Sequence, residues 1–343
     1  MRSLLLLGVN FDCSSRGEME MVLKVGAAPP QIIFANPAKT IDSIQYAKSK
    51  GVHKMTFDNT SELTKILNTY PEAQLILRIS ASEDGTSLHS PSYKFGARQQ
   101  EASQLIAQCA RRKANLIGIS FHVGSKGCSS ATFTQTLQRA REMFNEAEEH
   151  GLRLTLLDIG GGFPGDMEGS ISFAKIASDI GPVIDTLFPE PHIQVIAEPG
   201  RYFCTTTMNV AMQVYSKRDY TSKRVDPQTN ECQLLKEIQY FCPDGVYGNF
   251  NNILFDEANP ICRPLVEAPE GSVLYRSTFF GPTCDSFDVI ANNVMFPQLE
   301  LGDWVYFTNM GAYTSASGSC FNGIEKPPTF YKIMDQGLKS EYH

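Results

Sequence analysis

Between residues 8 and 207 the chain repeats one unit, a short apolar run followed by a stretch with apolar residues at helical spacing. The runs lie at 9–13, 32–35, 54–57, 75–79, 116–122, 154–159 and 194–197, and the helical stretches at 17–24, 40–50, 61–68, 101–112, 132–149 and 173–187. Strand then helix, repeated, is satisfied by a parallel sheet with the helices outside it, because parallel neighbours need a crossover of a dozen residues or more. Some 200 residues of this pattern suggest a closed barrel, whose chemistry gathers at the C-terminal ends of the strands. Seven strand runs are present where such a barrel needs eight. After residue 207 the pattern changes to short runs at 208–215, 239–241, 272–280, 304–308 and 329–333, separated by Gly, Pro and Asn turns. Residues 1–207 are therefore expected to form an α/β barrel domain and 208–343 an all-β domain. The polar stretch 216–237 is expected to be an exposed loop.

Composition removes several classes of function. A net charge of −7 without a basic patch disfavours nucleic acid or an anionic membrane as the main partner. The nine cysteines are odd in number and contain no CxxC pair, which speaks against a disulfide framework and against a metal site. A reducing cytoplasm fits them. Leu4-Leu5-Leu6-Leu7 imitates a secretion signal, but its apolar core is short, no small-residue cleavage site follows, and Asn10-Phe11-Asp12 comes at once. The expectation is the end of a helix running into a strand. No apolar run reaches the length of a membrane span.

Three of the strand runs end in groups suited to a phosphorylated pyridine: Phe121-His122-Val123-Gly124-Ser125, Asp158-Ile159-Gly160-Gly161-Gly162 and Ala197-Glu198-Pro199-Gly200-Arg201. Glycine amides can approach a phosphate closely, and Ser125 and Arg201 offer it a hydroxyl and a charged fork. A carboxylate such as Glu198, facing the ring nitrogen, keeps the ring protonated and able to accept electrons. His122 is expected to stack on the ring face rather than to titrate. The occupant these groups suit is pyridoxal 5′-phosphate.

Longer motifs carry a resemblance: Phe11-Asp12-Cys13-Ser14-Ser15, Ile33-Phe34-Ala35-Asn36-Pro37, Tyr93-Lys94-Phe95-Gly96, residues 120–125, 157–165 and 197–202, Asp244-Gly245-Val246-Tyr247-Gly248, residues 280–285, Asn309-Met310-Gly311-Ala312-Tyr313-Thr314 and Phe321-Asn322-Gly323. Over essentially its whole length the chain resembles the eukaryotic ornithine decarboxylases, pyridoxal-phosphate enzymes of the alanine racemase fold type, a family that includes the non-catalytic antizyme inhibitors. The resemblance implies a TIM-type (β/α)8 barrel lacking its first strand, plus a C-terminal β domain. In the family that strand carries the Schiff-base lysine, in a segment resembling Tyr-Ala-Val-Lys-Cys-Asn, and the eleven residues before Asp12 contain no lysine. The chain is expected to begin after it, and Lys39 and Lys126 are the only nearby substitutes.

The resemblance also implies roles. Asp12, Arg78 and Tyr313 fall at positions near the cofactor. Cys284 would return a proton to the substrate carbon after decarboxylation, so that Cys284 and His122 are the catalytic candidates. Asp285, Asp256, Tyr247 and Phe255 would meet a basic amino acid such as ornithine; the family often has Tyr where Phe255 stands, which leaves ornithine or lysine open. Cys284 and Asp285 would reach into the partner subunit of a homodimer, with Lys94 and Asp288 as an inter-subunit ion pair. Residues 36–58, with Lys39, Lys48, Lys50 and Lys54, correspond to an antizyme-binding region. The product of the reaction would be putrescine, in polyamine biosynthesis. A binding protein of the antizyme-inhibitor kind is the alternative, against which stands the retention of every polar site group.

Overall fold

Five helices of the first domain start where a short polar side chain accepts a free backbone N–H of the first turn. In the computed structural model, which describes residues 1–81, 94–124, 129–165, 171–225 and 232–332, this domain spans Met1–Phe203. After α1 (Arg2–Leu6) and β1 (Phe11–Cys13), Ser15 caps α2 (Arg16–Val25) by accepting from Glu18 N. Following β2 (Ile32–Phe34), Thr40 caps α3 (Ile41–Lys50); following β3 (Lys54–Phe57), Asn59 caps α4 (Thr60–Thr69). Then come β4 (Gln74–Ile79), α5 (Gln99–Arg112), β5 (Leu116–Phe121) and α6 (Ser130–Glu149), capped by Ser129. β6 (Leu156–Asp158), α7 (Phe173–Leu187), capped by Ser172, β7 (Gln194–Ile196) and α8 (Gly200–Cys204) complete the series. Each such cap contributes about 1 kcal/mol.

The seven strands pair in chain order, β1 to β7, all parallel, so β1 and β7 are the edges. This is the expected barrel short of one strand. Between sheet and helices lies the main core, which includes Phe34, Phe57, Phe121 and Phe133. The other face holds a thin apolar layer of Ile33, Ile76 and Leu156. Because side chains alternate along a strand, the residues two beyond this layer share its face. The parallel register of the sheet therefore decides which side chains meet at the mouth. No helix among the described residues is long and apolar enough to cross a membrane.

The second domain, Cys204–His343, has a four-stranded and a three-stranded sheet. The first contains β9 (Ser216–Val225), β10 (Cys232–Phe241), β12 (Leu274–Phe280) and β13 (Val289–Pro297) in the order β13-β12-β10-β9. The second joins β11 (Arg263–Pro264), β14 (Trp304–Phe307) and β8 (Val210–Gln213) in the order β11-β14-β8, and a short helix α9 (Asn252–Phe255) precedes it. Tyr240, Phe279, Val305 and Phe307 fill the core between them.

Three expectations for this domain are corrected. The polar stretch 216–237 is no loop: Ser216–Val225 and Cys232–Phe241 pair antiparallel over ten residues. Its polar side chains pair across the ribbon, with Lys236 Nζ 2.9 Å from Asp219 and Tyr220 and Ser222 donating to Glu237. β13 is an additional strand, hidden by Asn292-Asn293, where Asn293 takes a positive φ of 57° and the register against β12 shifts. Residues 329–332 are not a strand.

Candidate functional site

Strand parity assembles the mouth of the first domain. Asp12 pairs in register with Ile33, and Thr56 with Ile76. Arg78 stands level with Ser120, Ser120 with Asp158, and Asp158 with Ile196. Since Ile33, Ile76 and Leu156 face inward, so do Asp12, Arg78, Ser120, Asp158 and, two residues past Ile196, Glu198. One cation therefore sits among several carboxylates. Arg78 is depressed by burial but held up by Glu198, Asp58, Asp12 and Asp158 in turn. Burial raises Glu198, and the charge and hydrogen bond of Asp158 raise it further. Burial likewise raises Asp158, opposed by the Gly160 amide. Asp12, with part of its side chain open to solvent, is raised by burial and then by Glu198 and Glu18.

The glycines beyond β6 are needed where they stand. Gly160 has φ +63°, and a Cβ there would overlap the Phe121 carbonyl. A Cβ on Gly161 would lie 2.7 Å from His122 Nε2 and 3.1 Å from the Glu198 carbonyl. The bare backbone thus leaves a floor between the imidazole and the Glu198 backbone that any other residue would fill. Gly124 N donates to His122 Nδ1 at 2.9 Å, so the neutral ring carries its proton on Nε2. Burial and then Arg78 push the imidazole down to about 4, which keeps it uncharged at neutral pH.

Ser120 Oγ and Asp158 Oδ2 are buried at this mouth without a well-formed hydrogen bond. Unsatisfied buried polar atoms beside a carboxylate, a neutral imidazole and a glycine floor form a donor set that fits a polar aromatic ring with an anionic handle. Pyridoxal 5′-phosphate is such a group.

Of the groups expected here, Asp12, Arg78, His122, Gly160, Gly161, Gly162, Glu198, Pro199, Gly200 and Arg201 all lie in this domain, with Pro199 to Arg201 at the start of α8. Ser125 and Lys126 lie outside the described residues. Lys39 is withdrawn from the chemistry. Its side chain is fully buried, 3.0 Å from Glu62 Oε1, and its Nζ donates to the Asn36 and Thr56 carbonyls; burial lowers it to about 8. Asp158 and Ser120 were missed as site residues because Asp158 reads as part of a glycine turn and Ser120 as part of an apolar run. The inward parity of β5 and β6 identifies both.

The second domain carries the other expected residues. The Tyr247 hydroxyl donates to Asp285 Oδ2, and the Phe287 amide donates to Asp285 Oδ1 at 3.0 Å. These two hydrogen bonds hold the Asp285 carboxyl below the usual range, the amide contributing most. Cys284, beside it, is exposed. Phe255 is 81 % exposed and Tyr313 55 %; Tyr313 has a positive φ of 54°. Asp256 closes α9 as its C-cap. Asp288, expected in an inter-subunit ion pair with Lys94, is hydrogen-bonded within its own domain. It is 1 % exposed and accepts from Val246 N, Thr283 N and Thr283 Oγ1 of its own domain. Both oxygens are thus engaged internally, while Lys94 is exposed beside the Phe95 ring.

Residues 1–205 match the family described as pyridoxal-dependent decarboxylase, pyridoxal binding domain, and residues 201–311 its C-terminal sheet domain. The chain is 44 % identical to antizyme inhibitor 2 of Xenopus laevis over 97 % of its own length and 73 % of that protein. It is 41 % identical to the ornithine decarboxylase of Schizosaccharomyces pombe over 96 % and 73 %. Among solved structures, the arginine decarboxylase of Paramecium bursaria Chlorella virus bound to agmatine superposes with a TM-score of 0.83 at 36 % identity, over 94 % of this chain and 83 % of that one. Sheet order, glycine floor and both domain matches agree, and the chain belongs to the pyridoxal-dependent decarboxylases, whose cofactor is pyridoxal 5′-phosphate.

Proposed function

We propose that the chain carries the cofactor and substrate groups of an L-ornithine decarboxylase, forming putrescine. The observation that carries this reading is the inward row Asp12, Arg78, Asp158 and Glu198 beside His122 and the Gly160 to Gly162 floor. When bound, pyridoxal phosphate supplies a sink for the electrons left behind by departing carbon dioxide. Glu198 holds a proton at the ring nitrogen. The amides of Gly160, Gly161 and Gly162, with Arg201, bind the phosphate, a role that the resemblance also gives to Ser125 and Tyr313. His122, being neutral, covers the ring face without adding charge. Asp285 accepts the distal ammonium of the substrate with Asp256, Tyr247 and Phe255 around it, and the Cys284 thiol delivers a proton to the substrate carbon. Cys284 and Asp285 act in the site of a second copy of the chain.

Among the described residues, none of the strand-end residues that face inward is a lysine. The 343-residue chain is therefore expected to bind the cofactor reversibly and to release carbon dioxide from L-ornithine or L-lysine only at trace level. Labelled carbon dioxide release, measured together with borohydride trapping, checks this. Turnover accompanied by one trapped lysine would overturn it. The 44 % identity to antizyme inhibitor 2 favours a second reading, sequestration of antizyme through residues 36–58. Lys48 and Lys50 there are exposed, whereas Lys39 is buried against Glu62. Purified antizyme retained by the chain, and released by charge reversal at Lys48 and Lys50, would support it.

A further inference from the structure

The glycine floor and the pyridine-facing carboxyl are tied together by one side chain to which the family reading gives no role. Asp158 is fully buried at the end of β6. Its Oδ1 accepts from Gly160 N at 2.9 Å, fixing the first glycine of the floor. Gly160 O in turn accepts from Glu198 N at 2.8 Å. Register places Asp158 opposite Ile196, so Glu198 projects on the same face one alternation further. Asp158 Oδ2 is buried with no well-formed hydrogen-bond partner, on the inward face that Glu198 shares, where the charge of Asp158 is felt by the Glu198 carboxyl. Two carboxyls crowded onto one buried face do not both ionise readily.

The geometry points to Asp158 as a positioning residue that shares one proton with Glu198 across the β6–β7 pair, and so sets the charge with which Glu198 meets the ring nitrogen. This inference deepens the cofactor reading and rests on it only for the ligand. With the ring bound, Glu198 would hold this proton at the ring nitrogen. Asp158 stays anionic, and no proton need come from solvent. The remaining charges around the pair fit this count. Asp12 from β1 adds negative charge, with Glu18 of α2 behind it. Arg78 from β4 supplies a cation to the pair, with Asp58 beyond β3 beside it, and His122 beyond β5 is neutral. The directions of the shifts agree, both carboxyls being raised and Glu198 raised by Asp158.

The test has two independent arms. In the ligand-free chain at neutral pH, infrared difference spectra should show a carboxylic-acid carbonyl band that vanishes in both Glu198→Gln and Asp158→Asn. In the second arm, binding of pyridoxine 5′-phosphate, which cannot form an imine with any lysine, is followed by fluorescence from pH 5 to pH 9. Asp158→Asn keeps an oxygen for the Gly160 amide but removes the negative charge, so Glu198 loses its proton at lower pH. Its affinity should stay within about threefold of the parent at pH 5 and fall at least tenfold below it by pH 8, since a bound proton then has to come from solvent. Titrations of the ligand itself are common to both proteins and cancel. Absence of the acid band, or a uniform weakening at every pH, overturns the inference. If the parent fails to bind the probe, the cofactor reading falls while the infrared arm still decides the shared proton. Should Asp158→Asn not fold, Glu198→Gln decides the band alone.

Discussion

His122 shows how one residue's surroundings set its chemistry. A free imidazole titrates near 6.5, but burial and then the Arg78 guanidinium lower this one to about 4. Its folded pKa is depressed, so the unfolded chain binds the extra proton between those two values. The contribution to stability is therefore present above about pH 6.5 and is lost as pH falls toward 4. The raised carboxyls of Asp158 and Glu198 act in the opposite sense, which makes a comparison of variants necessary. The difference in thermal midpoint between parent and His122→Asn should shrink as pH drops from 7 to 5. A difference independent of pH would show that His122 titrates normally. The residue scale was partly legible in the sequence: the carboxylate, imidazole and glycines announce themselves at the ends of apolar runs. Asp158 did not, since nothing local distinguishes a structural Asp before glycines from one aimed into a site.

At the scale of elements, the first domain was legible because each strand run is short and apolar and five of the helices begin at a capping side chain, so that β3 and α7 match their expected limits at both ends. The second domain was not. β9 is polar and pairs its side chains across to β10, and β10 alternates only toward its end, where Ile238 and Tyr240 enter the core. β13 is interrupted by Asn293 in a left-handed conformation, the usual sign of a turn. Lys39 belongs to this scale too, as a pin between the chain beyond β2 and helix α4. With side chains 0 % and 4 % exposed, Lys39 and Glu62 form a buried ion pair. Glu62→Ala would leave the ammonium without its counter-charge and should cost about 3–5 kcal/mol in denaturant unfolding. The double change Lys39→Met, Glu62→Leu should cost far less. A loss below about 1 kcal/mol for Glu62→Ala would mean the pair is hydrated.

For the whole molecule, the decisive property is that a seven-stranded parallel sheet, with its order and parity intact, gathers the cradle at one end. Neither fold nor motif alone requires that these groups function together. Binding of pyridoxal 5′-phosphate to the 343-residue chain and to Gly161→Val is the direct test, followed by absorbance and then by dialysis. A side chain at position 161 would press on His122 Nε2, 2.7 Å from its Cβ, and fill the floor. The parent should bind one equivalent saturably and release it on dialysis, and the variant should bind at least tenfold more weakly. Saturable binding of equal strength in both proteins, or none in the parent, would contradict a cofactor cradle at this mouth.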